Sequence, residues 1–410
     1  MKKQEHFFSV FPFGYFQNFV IISGLFLVGV LIEGIFRGSG FFIPSFPFNW
    51  IFLCIQAGFI LLLYFLPFGK KIKEWMTSVP FVVVSSLFLI ILVVISGLVN
   101  QPIDEGWDLK RYLGLSHIVR SWYFVLIFFL VSFSLELTII KRWNFKTLKD
   151  FAFFFNHLGM LIVILASFWG SSDLKRVVLE LQPEELIWNG TDQKNRHVDL
   201  PFALKLKEFR IDEYSPQLVF VKRSDGKILP FKKIHHAEKN SSFSERIWNV
   251  EVLDYQPYIW FLDDKIVFTK QWSSPSGALV KVTNKETNDV QEGWVTTQTA
   301  AQGPKTIELT KDDGIDLALI DGRPKRFSSD LEWFSPDGKK GNATVEVNKP
   351  YSLNGWKLYQ YGYDETLGRW SQTTILEAIR DPWLPIVYLG LALALIGTLL
   401  FIWTGKENES

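Results

Sequence analysis

Apolar residues fall in six long runs, 16–36, 50–68, 79–98, 122–140, 151–170 and 383–403, with polar links between them. At 1.5 Å rise per residue, each run is long enough as a helix to cross a hydrocarbon layer about 30 Å thick. Between the fifth and sixth runs the period changes. Ala203-Leu-Lys-Leu-Lys-Glu-Phe209, Trp248-Asn-Val-Glu-Val-Leu253, Ala278-Leu-Val-Lys-Val-Thr283, Thr344-Val-Glu-Val347 and Trp356-Lys-Leu-Tyr359 alternate apolar with polar side chains, as half-buried strands do. Asp225-Gly226, Asp313-Gly314, Asp321-Gly322 and Asp337-Gly338 punctuate them as hairpin turns, so an antiparallel sandwich or open barrel is expected. The opening of this region, 174–190, is expected to start as a helix continuing from the fifth run. The pattern thus predicts a polytopic α-helical membrane protein of about six transmembrane helices carrying a large, mainly-β, sandwich-like domain. Its parts are an N-terminal transmembrane hairpin (1–75), core helices three to five (76–170), the β-rich domain (171–382), and a final helix with a polar tail (383–410).

Charge orients this plan. Gly69-Lys-Lys-Ile-Lys73 lies between the second and third runs, and Lys141, Arg142, Lys146 and Lys149 crowd the link between the fourth and fifth. Basic links stay on the cytoplasmic side, so residues 171–382 are expected outside and both termini inside. The first run follows Lys2 and Lys3 but lacks a small-x-small cleavage site, which reads as a retained anchor. The link 37–49 is short, rich in Gly and Pro and nearly uncharged, as suits a tight outer turn. The link 107–121 spaces Trp107, Tyr112, Leu115, Ile118 and Val119 as one face of a short amphipathic helix at the outer surface. Trp50, Trp75, Trp122, Trp143, Trp169, Trp383 and Trp403 fall at or beside span ends, where interfacial belts form.

Of the 410 residues, 48% are hydrophobic and 21% charged, and the net charge of +1 gives no reason to expect a nucleic-acid partner. Cys54 is the sole cysteine and falls inside an apolar run, which rules out an intrachain disulfide, a Cys-x-x-Cys pair or a thiolate metal cluster. It reads as a small buried apolar residue. Glu33 is expected to reach headgroup water, and Glu136 to snorkel and pair locally near Lys141 and Arg142. His117 reads as a solvated interfacial residue. His235-His236, beside Lys232, Lys233 and Lys239, reads as a solvated basic loop without the further ligands a metal would need. Asn189, Asn240 and Asn342 open Asn-x-Ser/Thr triplets, which matter only in a glycosylating host.

No phosphate loop, nucleophile triad, zinc motif or carboxylate pair stands out. The remaining candidate is His157, roughly 10 Å inside the fifth run from the end marked by Lys149 and Asp150. Hydrocarbon holds no water to satisfy an imidazole, so the ring must meet another helix, a cavity or a bound group. Interhelical hydrogen bonding is one reading; axial ligation of haem iron is the other.

Asn156-His-Leu-Gly-Met-Leu-Ile-Val-Ile-Leu-Ala-Ser-Phe-Trp-Gly170 resembles the span preceding the large loop of ResB-like cytochrome c biogenesis proteins, also called CcsB. Four further stretches resemble that family in order: Gly97-Leu-Val-Asn-Gln101, Ser121-Trp-Tyr-Phe124, Val345-Glu-Val-Asn-Lys-Pro-Tyr-Ser-Leu-Asn-Gly-Trp-Lys-Leu-Tyr-Gln360 and Asp381-Pro-Trp-Leu-Pro-Ile-Val-Tyr-Leu-Gly390. The resemblance covers about 79–403 and leaves the first two spans as an extra hairpin. It implies a System II haem lyase subunit, in which haem b is moved outward and presented to apocytochrome c. It also implies a CcsA/ResC-like membrane partner, since that protein's tryptophan-rich motif is missing here, and a bacterial cytoplasmic membrane as the setting. By the same resemblance His157 is the intramembrane haem-iron ligand. A b-haem electron-transfer subunit and a structural scaffold of an assembly complex are the alternatives.

Overall fold

The computed structural model describes residues 11–67, 69–99, 109–230, 233–262, 265–268, 270, 273–299, 302–310 and 314–406. Lys2, Lys3, Asn100, Gln101, Trp107, Lys232 and Asp313, named above, lie outside the described residues. The chain forms two compact units, Met1–Arg176 with Ile379–Ser410, and Val177–Ala378.

The first unit is helical: α1 (Tyr15–Ile35), α2 (Phe48–Phe65), α3 (Gly69–Met76), α4 (Val79–Leu98), α5 (Leu109–Tyr112), α6 (Trp122–Lys141), α7 (Leu148–Gly170) and α8 (Leu384–Lys406). All but α3 and α5 are long and apolar enough to cross a membrane. Their ends follow local chemistry. Pro80 stands in the first turn of α4, where no intrahelical donor is needed. The α2 helix stops at Phe65, short of the expected 68, because Pro67 forces Leu66 into an extended conformation. Ser121 caps α6 by accepting from the Phe124 N–H at 3.3 Å. Thr147 and Asp150 form a reciprocal capping box at the start of α7.

Helix α6 is the centre of the bundle, with half of its apolar window buried. Against it packs α1, where Gly29 lies on the backbone of Tyr123 and leaves no room for a Cβ. Helices α7 and α8 meet through Gly159, Gly390 and Gly397, each backed onto main chain of the other helix. Leu31, Ile35, Leu62, Phe65, Leu98 and Leu395 are exposed, as expected of a surface that meets lipid rather than water. Cys54 is on that exposed side rather than buried.

The link after α4 is not one amphipathic helix. Its described part makes a single turn, α5, then turns again at Gly114 (φ +73°) before a 3-10 turn, Ile118–Arg120. A Cβ at Gly114 would meet Glu33 and Ser121, so the chain has to fold back there.

The second unit holds an eight-stranded sheet in the order Lys340–Glu346, Pro324–Phe334, His197–Glu213, Leu186–Thr191, Lys175–Leu181, Thr374–Arg380, Trp356–Tyr363 and Tyr351–Leu353. It curls around its own apolar core of Leu179, Leu204, Leu206, Val345, Leu358 and Leu376. Two four-stranded sheets pack face to face over a separate core containing Phe220, Trp248, Val250, Val280 and Leu317. All five alternating segments are strands, apart from Val347 at the end of one. The helix expected from 174 is absent: Val177, Leu179 and Leu181 are buried at every second position of a strand. Asp225-Gly226 and Asp337-Gly338 turn back on themselves with glycines at φ +68° and +81°. Asp321-Gly322 instead leads from one sheet to another, with Gly322 pressed on the Tyr214 carbonyl. His235 and His236 form a short strand: His235 stacks on Phe243 at 3.9 Å and the His236 Nδ1–H donates to the Ser215 carbonyl. They are half-buried, not a solvated loop.

Candidate functional site

Helix α7 presents His157 to a cleft of about 620 Å³ bounded by α4, α6 and α7. Val79, Val82, Val83, Val131, Met160 and Ile164 supply its apolar wall, Ser85 and Ser134 are polar points on it, and Thr77, Lys141 and Arg142 close one end. Lys141 Nζ donates to Thr77 Oγ1 at 2.9 Å, and the Arg142 guanidinium lies 4.6 Å from the centre of the Phe153 ring.

The ring of His157 is held in two ways. It stacks on Phe153, one turn earlier, with centroids 3.8 Å apart, and its Nδ1 is 2.9 Å from the Phe153 carbonyl. A carbonyl only accepts, so Nδ1 carries the proton and the lone pair of the neutral ring lies on Nε2. Nε2 has no hydrogen-bond partner among the described residues. That is the tautomer and the backbone tether common in metal-ligating histidines. The neighbouring Asn156 points elsewhere, its amide donating to Thr398 Oγ1 at 2.8 Å and the Ala394 carbonyl at 3.3 Å on α8. Helix α7 is thereby fixed in rotation, with Asn156 on the α8 seam and His157 at the cleft.

The other expected residues are used differently. Glu33 is fully buried, not at headgroup water: Oε1 accepts from the Gly40 N–H at 3.0 Å and faces His117 Nε2 at 2.9 Å, and Oε2 accepts from the Trp122 N–H at 2.8 Å. His117 is therefore a structural partner, with Ser116 Oγ 3.0 Å from its Nδ1. Glu136 does not pair with Lys141 or Arg142, which turn to the cleft; it accepts from Gln56 Nε2 at 2.6 Å. Gln56 lies within the second apolar run and Asn49 ends the link before it. Seven residues apart, they lie on one face of α2, and that spacing was visible in the sequence. Asn49 donates to Asp173 Oδ2 at 2.7 Å and the Trp169 carbonyl at 3.1 Å. Trp383, assigned above to an interfacial belt, is buried and donates its indole N–H to Asp173 at 2.7 Å, while Trp75 donates to Asn18 at 2.8 Å.

Among the described residues no group of three or more His, Cys, Asp or Glu could hold a metal ion. His157 can supply one ligand from one side of the cleft, and Lys141 and Arg142 can pair with acidic substituents at its end. The volume falls in the range of small-molecule sites, about 300–1,000 Å³.

The family model of the ResB-like family matches residues 296–374, within the second unit. The matched stretch includes the late strand pair Tyr351–Leu353 and Trp356–Tyr363 and a hydrogen-bonded triangle, in which Ser329 Oγ lies 2.7 Å from Gln360 Oε1 and 2.8 Å from Thr374 Oγ1. His157 lies outside the match. No curated protein matches the chain.

Proposed function

We propose that this chain is the ResB-like subunit of a System II cytochrome c biogenesis complex, in which haem b is passed outward and presented to apocytochrome c for covalent attachment. The similarity over 296–374 supports a role in cytochrome c biogenesis generally. The observation that carries the finer reading is His157, a neutral imidazole with Nδ1 tied to the Phe153 carbonyl and Nε2 unpartnered beside an apolar cleft. A tetrapyrrole fits this donor set: Nε2 for the iron, the valine-rich wall for the macrocycle, and Lys141 and Arg142 for the carboxylates. Haem bound there supplies a redox-active iron and a reactive periphery. His157 fixes its position, and the apolar wall excludes water from the face it covers.

His157 would be the one imidazole this cleft offers to the iron, and any second ligand would come from another protein. The flank of the cleft formed by Val79, Val83 and Met160 is exposed, and in this reading a CcsA/ResC-like partner covers it. The basic residues at 70–73 and 141–149 support the same reading, in which the second unit faces the extracytoplasmic side of a bacterial cytoplasmic membrane and meets apocytochrome c there.

The test is His157→Ala in the complex purified from cells. The substitution is expected to lower haem content and block cytochrome c maturation while protein abundance stays near normal, with partial recovery on adding imidazole. Normal haem occupancy and spectrum in an abundant variant would overturn the ligand assignment. Haem retained by the isolated chain without its partner would favour an electron-transfer subunit instead.

A further inference from the structure

Glu136 of α6 is a carboxyl group that the cleft does not use. It is 8% exposed, and its Oε2 has no hydrogen-bond partner among the described residues. Its Oε1 accepts from Gln56 Nε2 of α2 at 2.6 Å. The orientation of that amide is set from the other side. Trp169 Nε1 of α7, which can only donate, lies 3.4 Å from Gln56 Oε1, so Gln56 must turn its NH2 toward Glu136 and Ser132.

Among the described residues no cation offsets a charge at this place. Helices α2 and α4 contain no charged residue. On α7, Lys149 is exposed, Asp150 is bonded to Thr147, and His157 is bonded to Phe153. On α3, Lys70, Lys71 and Glu74 are exposed, and Lys73 sits over the Tyr64 ring. Glu33, the one charged residue of α1, is engaged with His117 and Trp122. On α6 itself, Lys141 is bonded to Thr77, and Arg142 at its C-cap covers Phe153. A carboxylate with one amide donor and no counter-charge is costly in hydrocarbon, and the group neutralises instead.

We infer that Glu136 is a proton-binding site inside the membrane-spanning unit: Oε2 carries a proton, Oε1 is the carbonyl oxygen held by Gln56, and this neutral acid closes the junction of α2, α6 and α7. Ionisation would leave a bare carboxylate there, so the junction loosens as protons are withdrawn. Removing that proton therefore lowers the stability of the helical unit.

Infrared difference spectroscopy of the full chain in lipid nanodiscs reads this directly. At about pH 7, wild type minus Glu136→Gln should show the carbonyl band of a buried carboxylic acid, and thermal stability of Glu136→Gln should depend less on pH than that of the wild type. A carboxylate band in that difference spectrum, or superimposable pH profiles, overturns the site. Should Glu136→Gln fail to fold, Gln56→Leu serves: it leaves the acid in place and removes the donor to Oε1, so the acid band should move to higher frequency. A band unmoved by Gln56→Leu also overturns it.

Discussion

Glu33 takes three donors on two oxygens while fully buried, and two of those donors are backbone N–H groups with no other acceptor among the described residues. Replacing it with Gln turns an NH2 toward one of them. An unpaired buried N–H costs about 1–3 kcal/mol, so Glu33→Gln should lower the thermal midpoint and the monodisperse yield in detergent. The substitution His117→Asn, which removes one partly exposed ring, should cost less. Asp173 makes a pH-dependent contribution. Burial alone would raise its pKa, but donation from the Phe46 N–H, the Trp383 indole and the Asn49 amide outweighs burial and holds it below the usual carboxylate range. A depressed acid stabilises fully above about pH 3.9, and its contribution is lost as pH falls through the folded value. Melts of Asp173→Asn should start lower at neutral pH and show a shallower loss on acidification; parallel acid limbs would refute the assignment. Asn156→Ala should loosen the α7–α8 seam and reduce abundance in membrane fractions.

Helix packing explains which glycines matter. A Cβ at Gly159 or Gly397 would enter the backbone of the facing helix, whereas Gly24, Gly58 and Gly97 have open space around theirs. Gly159→Val and Gly397→Val are therefore expected to abolish accumulation in the membrane. Gly24→Ala and Gly97→Ala should be neutral or slightly stabilising, by up to about 1 kcal/mol, as alanine is the better helix former; immunoblots of membrane fractions distinguish the two sets. The six spans were legible because length and apolar character alone decide them. The five strand segments were legible because alternation has period two. Glu33 and Glu136 were misplaced for a common reason: their partners, Trp122 and Gln56, lie 89 and 80 residues away, and no local pattern carries such pairings. Gln56 was overlooked because one neutral amide barely changes the average of a run that is otherwise Phe, Ile and Leu. The division of the second unit into a curled sheet and a sandwich was equally hidden, since it depends on pairings such as Pro324 with Glu213.

For the whole molecule, orientation is the first quantity to measure. Reporter fusions after Lys73 and after Asp254 should report opposite compartments, and a shared compartment would invert every assignment that depends on side. The first two spans, absent from the resemblance to the ResB-like core, are bonded into it: α1 supplies Glu33 to the start of α6, and α2 supplies Asn49 and Gln56 to α6, α7 and Asp173. A chain lacking 1–75 is expected to lose the core along with the hairpin. These bonds also set a schedule. Glu33 leaves the ribosome 84 residues before His117 and 89 before Trp122, which at 5–20 residues per second is a wait of roughly 4–20 s. During that interval Glu33 has the Gly40 N–H, seven residues on, and neither of its other two partners. A carboxylate with two of its three donors missing is costly in hydrocarbon, so the final seating of α1 waits for the start of α6. Asn156 waits longer still, 242 residues, for Thr398 on the last helix, so the rotation of α7 that turns His157 to its cleft is settled only after translation has almost ended.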